Sequence, residues 1–254
     1  MDLFFGTRNP GKLEELRRLV AGLPVRVVSP EDLPRPPPEV EEDGATMAEN
    51  AEKKAVAYAR ATGMPALADD SGICVDVLWG LPGVRSARWS EDLAPGLAGR
   101  ERDRANNAKL LGAMAGVPTE HRGAEYRAVV ALARPDGTLV ATAAGTCRGT
   151  IGTAERGRGG FGYDPLFIIP GGPPAAPAGP PRPRIAAASP SPVGEQSSPP
   201  PPGQAPPPAP SLAREELAPR TMAELSPAEK DAISHRGQAM RKILPAIRDL
   251  AATG

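Results

Sequence analysis

Apolar positions along this chain switch between a strand-like run and a helical spacing several times. Asp2 to Gly6 is a short apolar run. From Lys12 to about Ala21, Leu13, Leu16, Leu19 and Val20 recur at helical spacing, so the chain opens strand, loop, helix. Val25 to Val28 predicts a second strand, and Leu33 to Asp43 a loop rich in proline and acids. Thr46-x-x-Glu49 is a capping box opening a helix that runs through Ala61, with Met47, Ala51, Ala55 and Tyr58 on one face. Gly63-Met64-Pro65 ends it. Ala66 to Asp69 predicts a strand that finishes on acids, and the apolar run resumes from Ile73 to Val77 after a Ser71-Gly72 break.

Further along, Leu81 to Val84 reads as a turn and Arg102 to Ala115 as a helix anchored by Leu110, Leu111 and Met114. Tyr126 to Ala133 and Thr138 to Ala143 predict a hairpin closed by Arg134-Pro135-Asp136-Gly137, with a further strand from Thr146 to Ile151. Gly157 to Asp164 is a flexible loop leading into Pro165 to Ile169. Thr221 to Leu225 predicts a helical turn. Ser226-Pro227-Ala228-Glu229 is a second capping box with proline in the first helical position. Met240, Ile243, Leu244, Ile247 and Leu250 then keep helical spacing. Alternating strands and helices with a hairpin between them predict an α/β domain on a mixed sheet. No internal repeat is visible.

Composition changes this picture in one place. More than half of the 33 prolines fall between Pro170 and Pro219, among Ala, Gly and Ser. Such a stretch supplies few backbone donors and little apolar surface, so residues 170–219 are expected to be a disordered insertion. It reads as a tolerated surface loop, whose closure cost grows slowly with length, or as a docking segment for a proline-binding module. Residues 1–169 and 220–254 are then expected to form one domain. Thirty basic and thirty acidic residues cancel, so no overall basic field recommends nucleic acid as a partner. Cys74 and Cys147 stand in no metal or redox spacing, which suggests a reducing compartment. Neither a signal peptide nor a membrane-length apolar run is present, and a cytoplasmic location is expected.

The candidate chemistry centres on Ala68-Asp69-Asp70-Ser71-Gly72. Adjacent carboxylates repel, and a divalent cation shared with phosphate oxygens is a usual remedy. The same residues also favour a surface turn. Thr7-Arg8-Asn9-Pro10-Gly11-Lys12 joins a strand to a helix, where backbone donors and the helix dipole suit phosphate, although the spacing is not a P-loop. Glu41-Glu42-Asp43 offers a further carboxylate or merely complements a helix dipole. Lys53 and Lys54 reach toward a polyphosphate or form a wet face. Phe161-Gly162-Tyr163-Asp164 offers rings for a nucleobase, or a loop plug. Ser234-His235-Arg236-Gly237 holds one of two histidines beside an arginine able to bind a purine edge or a phosphate.

Taken together, T-R-N-P-G-K (7–12), E-N-A-E-K-K-A (49–55), A-D-D-S-G-I (68–73), L-P-G-V-R-S-A-R (81–88), G-G-F-G-Y-D-P-L-F (159–167), M-A-E-L (222–225) and K-D-A-I-S-H-R-G (230–237) resemble the inosine triphosphate pyrophosphatase family. The order of seven motifs carries this resemblance, which spans nearly the whole chain outside the proline tract. It implies an elongated α/β fold with a long mixed sheet and two lobes around a cleft, usually as a homodimer. It implies Mg²⁺-dependent hydrolysis of ITP, dITP and XTP to the monophosphate and pyrophosphate. By this resemblance Thr7 to Lys12 cradle the triphosphate and Lys54 faces the phosphates. Glu41 and Asp70 are the metal-site acids, Asp70 is the general base, Asp69 supports them, and Ser71 contacts substrate. Phe161, Gly162, Tyr163 and Asp164 frame the base with His235 and Arg236. The chain departs from the family at Arg220, where a lysine is expected beside the base, and at Arg158, where a small residue is expected. Two alternatives remain open: another nucleotide substrate on the same fold, or a catalytically silent nucleotide-binding scaffold.

Overall fold

A computed structural model describes residues 1–170 and 219–253. The expected disorder of the proline tract falls almost entirely on 171–218, outside the described residues. Among the described residues six strands form one mixed sheet: β1 (Asp2–Phe5), β2 (Arg26–Val28), β3 (Ala66–Val75), β4 (Gly123–Ala133), β5 (Leu139–Ile151) and β6 (Phe167–Ile168), in the order β2-β1-β3-β4-β5-β6. β1 runs parallel to β2 and β3, and the remaining neighbours are antiparallel. The helices are α1 (Pro10–Val20), α2 (Met47–Thr62), α3 (Gly99–Ala113), α4 (Pro227–Ile233) and α5 (His235–Thr253). None of the described helices is long and apolar enough to cross a membrane.

Local signals explain where the helices begin. The Asn9 side chain accepts from the Gly11 and Lys12 amides at the start of α1, with Pro10 in the first turn. Both expected capping boxes form, at Thr46 and Ser226, and α2 ends on Gly63 in the left-handed region. Leu16 and Val20 of α1 and Met240, Ile243 and Ile247 of α5 pack on one sheet face with Leu3, Phe5, Leu67 and Val130. Ala51, Ala55 and Tyr58 of α2 cover the other face with Phe4, Ala66 and Ala68. A further core, around Ile73, Leu110, Tyr126, Tyr163 and Phe167, fills the far end of the long strands.

Two strand boundaries differ from expectation. β3 does not end on its acids: all ten residues pair with β4, from Ala66 opposite Ala133 to Val75 opposite Ala124. Ser71-Gly72 is a break signal only locally, and the ladder overrides it. Gly72 is required there for space, because a Cβ would meet the Gly83 carbonyl at 2.2 Å and Ser86 Oγ at 2.5 Å. The two expected strands either side of residues 144–145 are likewise one continuous β5.

Candidate functional site

The sheet order places the site. From β1 the chain leaves through α1 to β2 on one side, then through α2 to β3 on the other, and α1 and α2 cover opposite faces. Crevices form at such switch points, outside the carboxyl ends of the strands. β1 stops at Phe5, opposite Leu67, whereas β3 continues to Val75. Residues 69–71 therefore stand beyond the end of β1, next to the Thr7–Lys12 turn.

Strand alternation sends Asp69 and Asp70 to opposite faces. Asp70 lies on the α2 side, where Asn50 Nδ2 donates to its Oδ2 at 3.0 Å and the Ser71 amide to its Oδ1 at 2.9 Å. The same Asn50 accepts from the Gly44 amide at 2.8 Å, so its orientation is locked. Burial raises the Asp70 pKa above the ordinary carboxylate value and Glu42 raises it further, while Lys54 and Asn50 pull the other way. Lys54 is buried, and its Nζ donates to the Asp69 carbonyl at 2.7 Å and to the Glu42 carboxylate. Arg88 holds the other Glu42 oxygen at 3.0 Å. Burial opposes ionisation of Glu42, yet Lys54 and Arg88 outweigh it and hold the carboxyl below its usual value.

Glu41 is the acid expected to join Asp70. Glu41 is exposed, and Glu42 is the member of the acidic run that turns toward Lys54. Neighbouring side chains diverge in a non-helical segment, so only one of the two can face inward. Asp43 pairs with Lys53 at the surface.

Asp69 is also not a partner to Asp70 in one clamp. On the α1 and α5 side its carboxylate lies 2.8 Å from Lys12 Nζ and 3.8 Å from Arg236 Nη1. Full burial alone would raise its pKa, but Lys12, Arg236 and Lys54 overcome that and bring it to about 2. The expected repulsion of neighbouring acids is relieved by the pleat and by these cations.

Thr7 is buried and its hydroxyl accepts from the Asn9 amide at 3.2 Å, while Arg8 points outward toward Glu39. Gly11 touches the Phe161 ring so closely that a Cβ would come within 2.9 Å of it. That contact brings the phosphate-loop candidate and the aromatic loop together. Phe161 also lies over Lys230 Nζ, 4.6 Å from the ring centroid, and over the Arg236 guanidinium at 4.9 Å. Gly162 donates its amide to Asp103 at 2.9 Å. Tyr163 differs from expectation: its ring is in the core, and its hydroxyl donates to the Ser86 carbonyl at 2.8 Å, so it offers no stacking face. Asp164 braces the loop, accepting from the Phe161 amide at 3.0 Å and Lys230 at 2.8 Å.

His235 is buried and stacks on Tyr126 at 4.5 Å. Burial and the charges of Arg236 and Lys230 hold its pKa well below the ordinary histidine value. Among the described residues its Nδ1 is a buried nitrogen without a hydrogen-bond partner. Arg236 is buried beneath Phe161, with Nε donating to Glu15, which makes it a support of the loop as well as a base-edge candidate. Arg220 pairs with Glu229 at 2.8 Å on the surface.

Sequence reasoning missed Asn50, Glu15, Lys230 and Arg88. Asn50 left a signal, because it shares the buried face of α2 with Met47 and Ala51 where an apolar residue is expected. Glu15, beside Leu16 on the covered face of α1, left a weaker one.

The model of the Ham1 family matches residues 3–178 and 210–246. A dITP/XTP pyrophosphatase of Anaeromyxobacter dehalogenans is 54% identical over 271 aligned positions, covering 99% of each chain. The solved structure of a HAM1 protein from Coxiella burnetii superposes with a TM-score of 0.69 at 29% identity, covering 98% of this chain and 99% of that one. That of a nucleoside-triphosphatase / dITP/XTP pyrophosphatase from Mycobacterium abscessus gives 0.60 at 36% identity, covering 96% and 100%.

Proposed function

The chain belongs to the Ham1 family, and on that footing we propose that it hydrolyses ITP, dITP, XTP and dXTP to the monophosphate and pyrophosphate, clearing these bases from the nucleotide pool. It is a nucleoside triphosphate pyrophosphatase. The reading includes a cytoplasmic homodimer, which light scattering of the purified protein tests. The observation that carries it is the setting of Asp70. Its buried carboxyl, with a raised pKa, stands past the end of β1 within the field of Glu42, Lys54 and Lys12.

Each residue then has work suited to its place. The amides at the start of α1, with Thr7 and Lys12, hold the polyphosphate, and Lys54 adds a second positive charge. Ser71 contacts the substrate at the strand edge. Asp70 accepts the proton of a water that attacks the α-phosphorus. The new P–O bond forms as the bond to the bridging oxygen breaks, and pyrophosphate leaves. Phe161 stacks on the base, and the base-edge contacts come from the polar groups of its loop and from the 235–236 turn.

Magnesium suits this donor set. No group of three or more histidine, cysteine, aspartate or glutamate residues is placed to hold a metal among the described residues. Mg²⁺ asks for less, taking one or two carboxylates and filling its shell with water and substrate phosphate. Asp70 and Glu42 would supply those hard oxygens, and the ion when bound neutralises phosphate charge.

Pyrophosphate release from dITP, dATP and dGTP, with and without Mg²⁺, is the direct test. Strong preference for dITP with Mg²⁺ is expected, and Asp70→Asn should lower its turnover by about 10²- to 10⁴-fold without unfolding the protein. Equal turnover of dATP and dITP would defeat the substrate assignment, and an active Asp70→Asn the assignment of the base.

A further inference from the structure

Six charged side chains alternate in sign along one line: Lys12, Asp69, Arg236, Glu15, Lys230 and Asp164. The separations are 2.8 Å from Lys12 to Asp69, 3.8 Å from Asp69 to Arg236, 3.4 Å from Glu15 to Lys230 and 2.8 Å from Lys230 to Asp164, with Arg236 Nε donating to Glu15. Every member after Lys12 is buried. One end is a candidate phosphate ligand. The other is the carboxylate that accepts from the Phe161 amide.

The Phe161 ring lies on two cations of this line, Lys230 and Arg236. A cation held against a ring is attracted to it, and the attraction strengthens when water is excluded. Both cations would gain freedom if their anions were lost. Glu15 ion-pairs with both of them, whereas Asp164 pairs with Lys230 and Asp69 with Arg236. A buried ion chain is weak evidence of stabilisation, and fixing position is its better-attested use. Glu15 itself sits on the covered face of α1, 5% exposed, with its carboxylate bonded to these two cations.

We propose that Glu15 is a positioning residue for base recognition: it pins Arg236 and Lys230 beneath Phe161, so that the ring keeps its stacking pose, and touches no substrate atom itself. This rests on the reading of Phe161 as the base-stacking residue.

The test is steady-state kinetics of Glu15→Gln, which keeps the shape and removes the charge, measured beside the wild type on dITP. KM is expected to rise about tenfold with kcat changed less than about threefold, because stacking is loosened while Asp70 is untouched. In a Phe161→Leu background the same substitution should have almost no further effect on KM, since both act through one ring. Unchanged KM, a loss confined to kcat, or full additivity with Phe161→Leu overturns the proposal. Should Glu15→Gln fail to fold, Lys230→Gln removes the other side of the same contact; the same KM rise supports the proposal and a wild-type KM overturns it. Absence of dITP turnover in the wild type overturns the functional reading together with this one, whereas normal wild-type turnover with an unaffected variant strikes Glu15 alone.

Discussion

Asn50 favours the ionised form of Asp70 against burial and the charge of Glu42. Asn50→Leu removes a bond made to the charged carboxylate, so the Asp70 pKa moves further up. A base must be ionised to act, so the acidic limb of the kcat/KM profile is expected to move to higher pH, as a pH series on dITP will read. A limb that stays in place would argue that another group is the base. Asp69 behaves in the opposite sense. Its folded pKa of about 2 lies below the ordinary aspartate value. The stability it contributes is therefore full above the unfolded value of about 3.9 and is lost as pH falls through the folded one. Asp69→Asn leaves buried cations short of an anion, and should cost about 3–5 kcal/mol at neutral pH. Urea unfolding of both proteins across pH should show that gap closing as pH drops from about 4 toward 2. A gap independent of pH would mean that the ion pairs with Lys12 and Arg236 contribute little.

At the level of elements, β3 carries both the site and the contact that shapes its rim. Ser86 Oγ accepts from the Ile73 amide at 2.9 Å and donates to the Gly83 carbonyl at 2.6 Å, so the 83–88 segment is stitched onto the strand beside Gly72. Arg88, at the end of that segment, reaches Glu42. Gly72→Ala drives a methyl into a backbone carbonyl, which cannot rotate aside as a side chain would. The expected cost is about 1–3 kcal/mol, with Arg88 displaced from Glu42 and activity reduced. Thermal unfolding and turnover of the variant measure both effects, and an unshifted Tm would contradict this close packing of Gly72 on Gly83. α2 has a comparable double duty. Its alanines let it lie close on the sheet, and Asn50 and Lys54 interrupt that apolar face where β1 has ended.

Across the whole molecule, the two ends of the proline-rich segment meet. The Ile169 amide donates to the Arg220 carbonyl at 2.9 Å, and Ile168 bridges to Thr221 at the edge of β6. Closing a loop between fixed ends costs only about 0.6 kcal/mol per doubling of its length. Deletion of roughly residues 172 to 215, rejoined by a short Gly-Ser linker, is therefore expected to leave Tm equal or slightly higher and dITP turnover within about threefold of the full chain. Loss of folding in the deletion would show that the segment packs against the domain. Surface position of Arg220, paired with Glu229, places the one departure from the expected lysine close to this junction.

What the sequence determined alone was whatever a few neighbouring residues decide. Capping boxes at Thr46 and Ser226, the helical spacing of α5 and the ordered motifs are local, and the α/β class, the helices and the family follow from them. Tertiary structure decided what depends on pairing across the chain. The ladder with β4 kept β3 extended through Ser71-Gly72, and its pleat sent Asp69 to Lys12 and Arg236 while Asp70 met Asn50. Glu42 was selected over Glu41 by cations contributed from α2 and the 83–88 segment, and Tyr163 was drawn into a core assembled from distant strands. Partners such as Glu15 and Arg236 lie 221 residues apart, so no local pattern encodes their meeting; the fold brings them together because both helices cover the same face of the sheet.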